Sequence, residues 1–279
     1  MKLIKITRCP KCHASQFTIT KTNYLKCEKC NAEYLKAGDQ LLFNSHSNDV
    51  FEQDSIINSK SDPLRHWKTG NLMSLLPNDA KQSLLLNLGA GDGSDSEFLR
   101  SINFEVVSTD LEYNKNIDVI ADAQNLPFKD NTFDYLVMLS VLEHVTDPKK
   151  LFSEIYRVLK PGGKLIASSA FLEPYHAYSR FHISALGILQ LLKDNNLKIK
   201  TLSPGWDIFS ALGIGLFPFL RPLRPFLSLL FRFIISFRTF LMIYLKGKSK
   251  STKLDEFNVS LKTYESLRFS GSVIYSAIK

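Results

Sequence analysis

The stretch Leu84-Leu-Leu-Asn-Leu-Gly89-Ala-Gly91-Asp-Gly93 constrains the fold more than any other part of this chain. It is a short apolar run that ends in three alternating glycines, and a helical pattern follows from Ser94 to Arg100. An apolar run of this length, bounded by turn residues, reads as a buried strand of a parallel sheet. Glycines accept positive φ and let the backbone approach a ligand closely. A dinucleotide fingerprint would need its third glycine at position 94, which is Ser94, so the spacing here is G-x-G-x-G instead.

The same alternation continues downstream. Candidate strands are Ser83–Leu88, Glu105–Thr109, Asp118–Ala121, Phe133–Leu139 and Gly163–Ser169, with helices such as Pro148–Leu159 between them. Short apolar strands alternating with helices predict βαβ units and a parallel sheet. Lys198–Leu202 and Ser270–Ile278 read as a sixth and a seventh strand. Hydrophobic residues make up 44% and charged residues 22% of the chain, which excludes a disordered polypeptide. The formal net charge of +8 favours anionic partners such as nucleic acid, phosphorylated substrates or acidic lipid.

All four cysteines precede residue 31, so no disulfide framework is available to the rest of the chain. Cys9-Pro-Lys-Cys12 and Cys27-Glu-Lys-Cys30 are two C-x2-C pairs separated by fourteen residues. Each pair sets two thiolates on one tight turn, and four sulfurs suit tetrahedral zinc. The expected role is structural, because a closed four-cysteine site has no open position for a substrate. Met1–Arg8 has no secretory leader pattern, so a reducing, cytoplasmic setting is expected. Residues 1–43 are read as this zinc ribbon, 44–82 as a linker with a short helix around Leu64–Met73, and 83–279 as the α/β domain.

Several motifs carry a family resemblance. The G-x-G-x-G turn resembles motif I of class I S-adenosylmethionine (SAM)-dependent methyltransferases. Val106-Val-Ser-Thr-Asp110 ends in an acid about twenty residues beyond the turn, where a carboxylate can bind both ribose hydroxyls. Ile120-Ala-Asp122-Ala123 before Leu126-Pro127-Phe128 resembles the D-A-x-x-L-P-F loop of type 11 methyltransferases. Phe133-Asp134, Leu142-Glu143-His144-Val145 and Arg157-Val-Leu-Lys-Pro161-Gly162-Gly163 follow in family order. The resemblance covers about Ser83 to Ser203. It implies a Rossmann-like, seven-stranded doubly wound α/β sheet with its last strand antiparallel. It also implies SAM as cofactor, held by Asn87, Gly89, Ala90, Gly91, Gly93, Asp110, Leu111, Asp122, Ala123 and Ser140. Asp122 would accept from the adenine amino group while the Ala123 backbone reads the ring edge. Asn87 departs from the family's usual acid at that position: an amide oxygen accepts a hydrogen bond without bringing charge. Cys27–Phe43, with Tyr34, Gly38-Asp39 and Leu41-Leu42, resembles the Trm112-like zinc ribbon joined to methyltransferases; RNA-binding ribbons look similar.

Ligands of such sheets lie beyond the carboxyl ends of the strands, which places Ser140–Thr146 and Phe171–His182 around the acceptor. His176, His144 and His182 are the candidate bases for a hydroxyl acceptor. Leu142–Pro148 also resembles quinone-biosynthesis O-methyltransferases, whose preceding acid is replaced here by Ser140.

Residues 204–265 form an insertion between strands six and seven, where a short turn is usual. At about 100° per residue, Arg221, Arg224, Ser228, Arg232, Ser236, Thr239 and Lys246 share one arc. Phe226, Leu230, Phe233, Phe237, Leu241 and Tyr244 take the opposite side, the pattern of a helix lying in a membrane interface. The expected function is O-methylation of a membrane-associated or envelope-precursor acceptor, such as a lipid-linked saccharide or isoprenoid. Peripheral contact with the inner face of the membrane would run through 206–246. RNA methylation using the ribbon, and a non-catalytic SAM-binding scaffold, are the alternatives.

Overall fold

The computed structural model describes residues 3–44, 72–77, 79–172, 179–205 and 270–279, with single positions between 226 and 268. Four short strands build the ribbon: β1 (Phe17–Ile19), β2 (Tyr24–Cys27), β3 (Glu33–Ala37) and β4 (Gln40–Leu42). The domain adds β5 (Leu84–Leu88), β6 (Glu105–Asp110), β7 (Val119–Ile120), β8 (Phe133–Leu139), β9 (Leu159–Ala170), β10 (Lys198–Pro204) and β11 (Ser272–Ile278). Its α-helices described from end to end are α1 (Ser94–Ser101), α2 (Pro148–Val158) and α3 (Ala185–Asp194). All eleven strands lie in one sheet, in the order β1-β2-β3-β4-β7-β6-β5-β8-β9-β11-β10.

The seven domain strands realise the expected Rossmann-like arrangement. β7, β6, β5, β8 and β9 are parallel, and β11 enters antiparallel between β9 and β10. β5 is apolar at four of five positions because β6 and β8 flank it and helices cover both faces. α2 starts where Pro148 fixes φ at the first turn, and the Asp147 carboxylate accepts the Lys149 and Lys150 N–H groups at 3.1 and 3.2 Å. Its Leu151, Phe152, Ile155 and Val158 form the buried stripe. Of the lead-in helix expected around Leu64–Met73, the described part is a 3-10 turn, Leu72–Leu75.

The ribbon is built into this sheet along two joints. β4 pairs in parallel with β7, Leu41 opposite Val119 and Leu42 opposite Ile120. On the other side, Arg8 N–H donates to Pro127 O at 3.0 Å and Lys129 N–H to Ile6 O at 2.8 Å. The segment 121–128 therefore runs between two ribbon segments. Leu25, Leu41 and Phe43 sit in the same buried cluster as Leu86, Leu88 and Phe128, so the ribbon has no separate core. Gln40 Nε2 extends the joint to Asn114 O at 2.9 Å and Ile117 O at 2.6 Å.

A polar staple on α2 closes the second joint. Glu154 accepts from the Leu126 N–H at 2.7 Å, from Arg157 at 2.6 Å and from Arg8 at 3.3 Å. Arg157 also donates to Phe128 O at 2.6 Å and Leu126 O at 3.0 Å. The three side chains are only 12 to 16% exposed, so removing the anion strands a backbone donor and leaves the two arginines only Asp130, at 2.8 and 3.7 Å, as a carboxylate partner. Glu154→Ala is expected to cost about 3–5 kcal/mol of unfolding free energy in urea titration.

Candidate cofactor site at the carboxyl edge of the sheet

The four cysteines meet as their spacing predicts. Cys9 and Cys30 Sγ lie 3.6 Å apart, Cys12 and Cys27 Sγ 3.5 Å, and all four within 4.8 Å. Thiolates at about 2.3 Å from a tetrahedral zinc stand about 3.8 Å apart, so the set fits that ion. Each pair closes the same way: His13 N–H donates to Cys9 O at 2.8 Å and Asn31 N–H to Cys27 O at 3.0 Å. Both His13 and Asn31 adopt left-handed φ, 61° and 58°. Burial opposes ionisation of Cys9, but the Tyr34 hydroxyl at 3.1 Å and backbone N–H groups of Cys12 and Lys11 bring its pKa down to about 7.

The glycine turn leaves the end of β5 and is tied to the end of β6. Gly89 and Ala90 N–H groups donate to Thr109 O at 2.8 and 3.1 Å. Gly91 N–H donates to the Asp110 carboxylate at 2.8 Å, so this acid faces the turn across the strand ends. The other Asp110 oxygen accepts from Glu112 N–H at 3.1 Å. The glycines differ in what they require. At Gly89 (φ 72°) the Val141 side chain occupies the place of a Cβ. Gly91 (φ 55°) faces open space, as a surface meant to be covered by a ligand would. Ala90 is buried against Ile117 and Ile120, while Leu111 is exposed beyond Asp110. Asn87 is buried beneath the turn, its amide nitrogen donating to Ser96 Oγ at 2.9 Å; this ties β5 to α1.

Asp122 and Ala123 follow β7 after Ala121. One Asp122 oxygen accepts from the Gln124 backbone N–H at 2.8 Å and from Gln124 Nε2 at 3.1 Å. Asp122 also borders a cleft of about 660 Å³ walled by ribbon residues, among them Tyr34, Leu35, Leu42 and Phe43. The ribbon thus lengthens the ligand-facing edge beyond β7.

On the far side, Ser140 follows β8 with a left-handed φ of 54° and donates its N–H to Ser168 O at 3.0 Å. A non-glycine residue in that conformation marks a shaped loop. His144 stands in the 3-10 turn Leu142–His144, and its carbonyl accepts from Arg180 Nε at 3.2 Å. His182 Nδ1 lies 3.0 Å from Phe171 O, which fixes the ring to the loop after β9. His176 lies outside the described residues.

Residues 86–167 match the methyltransferase domain family. The same part of the chain is similar to the ubiquinone/menaquinone biosynthesis C-methyltransferases UbiE of Enterobacter sp. and Escherichia coli. They are 40% and 41% identical over 99 residues, which is 30% of this chain. The chain spans 39% of the length of these curated relatives. Among solved structures, a complex of the Haloferax volcanii Trm112 methyltransferase activator with a methyltransferase matches at TM-score 0.48 and 16% identity, over 77% of this chain and 90% of that one. Haemonchus contortus phosphoethanolamine N-methyltransferase 2 bound to S-adenosyl-L-methionine matches at TM-score 0.44 and 18% identity, over 75% of this chain and 51% of that one.

Two side chains of the methyltransferase domain carry chemistry that sequence reasoning left unassigned, Gln124 and Glu143. Gln124 occupies an unmarked position of the D-A-x-x-L-P-F loop, and only its partners reveal it. Glu143 is 1% exposed, accepts from Ala170 N–H at 3.3 Å, and its carbonyl takes the Arg180 N–H at 2.7 Å. Burial pushes its carboxyl up to about 7, against the pull of its own and the Ala170 backbone N–H groups. Between the unfolded value near 4.5 and 7 the native state therefore holds the extra proton. Stability is expected to decline across that window as pH rises, by up to about 3 kcal/mol. Glu143→Gln should flatten the decline in denaturation curves collected from pH 4.5 to 8.

Proposed function

We propose that this chain is a SAM-dependent methyltransferase acting on a membrane-associated acceptor at the inner face of the membrane. The observation that carries the cofactor assignment is the hydrogen bond from Gly91 N–H to Asp110, which sets an acid beside bare backbone at the strand ends. SAM supplies an electrophilic methyl group on a sulfonium. Asp110, still able to accept along its remaining lone pairs, is suited to the two ribose hydroxyls, and Asp122 with Ala123 to the adenine edge. Gly91 leaves the space that the ligand's middle needs. Catalysis of an in-line displacement is largely alignment and exclusion of water, tasks for Ser140–Thr146 and the loop after β9. His144 and His182 are the described candidates to take the acceptor's proton as the S–CH3 bond breaks and the acceptor–CH3 bond forms. An acceptor hydroxyl on an aromatic ring, once deprotonated, carries charge on oxygen and on ring carbons. The oxygen acceptor favoured by the sequence and the C-methylation that names the relatives therefore need the same base.

The acceptor class rests on the insertion. Its described positions from Phe226 to Tyr244 are helical, and Phe226, Leu229, Leu230, Phe233, Ile234, Phe237, Phe240, Leu241 and Tyr244 are each 42 to 76% exposed. At about 100° per residue they fall within one arc, a broad apolar surface in water. No helix among the described residues is long and apolar enough to cross a membrane. The arc, with arginines at 221, 224 and 232 on the other side by sequence, suits an anionic lipid surface. The four cysteines are proposed to hold one structural zinc.

The test supplies labelled SAM to the protein with separated lipid, saccharide and RNA pools. Label in the lipid-extractable pool with release of S-adenosylhomocysteine is expected; label in RNA alone, or no SAM binding by calorimetry, overturns the reading. In flotation with vesicles containing phosphatidylglycerol, the wild type should float. Phe233→Asp/Phe237→Asp should stay at least about tenfold more in the soluble fraction, with unchanged circular dichroism. Elemental analysis should return one zinc per chain, lost in Cys9→Ser/Cys27→Ser.

A further inference from the structure

The clearest unassigned device at the site is Gln124. Its amide oxygen accepts two donors: the Thr146 hydroxyl at 2.8 Å and the Asp147 backbone N–H at 2.7 Å. A backbone N–H can only donate, so the oxygen must face that side. The orientation of the amide is thereby fixed, and its NH2 is aimed at Asp122, 3.1 Å from Oδ1 and 3.4 Å from Oδ2. Asp147 is in turn the cap of α2, so Gln124 is anchored to the start of a rigid helix. On one side of this amide lies the acid proposed to read adenine; on the other lies the end of the Ser140–Thr146 loop proposed to face the acceptor.

We infer that Gln124 is a positioning residue that fixes the orientation of the Asp122 carboxylate and couples its placement to the loop ending at Thr146. This deepens the SAM-binding reading and rests on it. An amide is the side chain that can do both jobs, because it presents an acceptor at one atom and donors at the other. A carboxylate of the same length keeps the acceptor toward Thr146 and Asp147 but turns a second anion toward Asp122. An apolar chain of the same length keeps the volume and loses both contacts. The other charged groups around this point are Asp147, which pairs with Lys150 at 3.7 Å, and Lys11 and Glu33, which border the cleft with Asp122.

The test measures binding of S-adenosylhomocysteine by calorimetry for wild type, Gln124→Glu and Gln124→Met between pH 5.5 and 8.5. Two carboxylates sharing one site titrate with one value raised, so a shared proton restores the donor at low pH. Gln124→Glu should bind within about threefold of wild type at pH 5.5 and about thirtyfold more weakly at pH 8.5. Gln124→Met should bind about tenfold more weakly at every pH, the loss of a hydrogen bond to a charged group. A purely structural role would lower the melting temperature of both variants without making affinity depend on pH in one of them. Wild-type affinity in both variants, or a Gln124→Glu affinity that tracks the wild type across pH, overturns the inference. Absence of binding by the wild type itself overturns the cofactor reading instead.

Discussion

Two ladder steps, Leu41 against Val119 and Leu42 against Ile120, decide where the cofactor edge of this molecule ends. β7 is only two residues long, and as an outer strand it would leave its backbone donors and acceptors unpaired. β4 covers it, and because the pairing is parallel, Phe43 and Asn44 emerge beside Ala121 and Asp122. The N-terminal segment runs along Pro127–Lys129, so the loop after β7 is held from both flanks. A ribbon too small to bury a core of its own thereby gains one, through Leu25, Leu41 and Phe43. The cysteine turns and the loop after β7 are parts of one folding unit.

The acids of the domain divide according to whether their charge is used up inside the fold. Asp134 accepts the Leu84 N–H at 3.0 Å and two contacts from Lys160 at 2.9 Å, pinning the amino ends of β5 and β8. Asp118 takes the Ser108 N–H and hydroxyl and Arg100 on one oxygen. Glu154 is saturated by two arginines and Leu126. Asp110 and Asp122 differ: the hydrogen-bond donors that hold them are backbone or amide groups, which orient a carboxylate without neutralising it. They also lie at the carboxyl ends of adjacent parallel strands, where a sheet of this topology binds its ligands.

Much of this was legible in the sequence because it rests on local patterns. Strand periods placed Phe133–Leu139 to the residue, and Leu84–Leu88 and Glu105–Asp110 within one. The Pro148 start of α2 and the cysteine spacing were equally direct. The ends of β9 were not. Lys160-Pro161-Gly162 reads as a turn, yet the strand begins at Leu159, and the register to β8 slips between Phe133 and Tyr135. The β4–β7 joint was invisible, since pairing between residues 41 and 119 leaves no periodic trace. Gln124 was missed for a related reason. A glutamine in a polar loop is unremarkable until its two ends are seen to meet Asp122 and the cap of α2.

The topology also bears on which acceptor reaches the pocket. β10 runs parallel to β9, so Pro204 lies at the ligand edge, and β11 starts from the same edge at Ser272. Gly205 N–H donates to Ser272 O at 2.9 Å, which pins the two ends of the insertion together. The returning segment binds the loop after β9 as well: Phe171 N–H donates to Gly271 O at 2.8 Å and Leu172 N–H to Ser270 O at 3.3 Å. The insertion is therefore rooted in the strand ends around Glu143 and His182, and it carries an exposed apolar arc. An acceptor dissolved in water gains nothing from such a surface. Under the proposed reading, one embedded in a lipid interface would be brought to the strand ends by the contact that docks the protein, which lowers the cost of finding it.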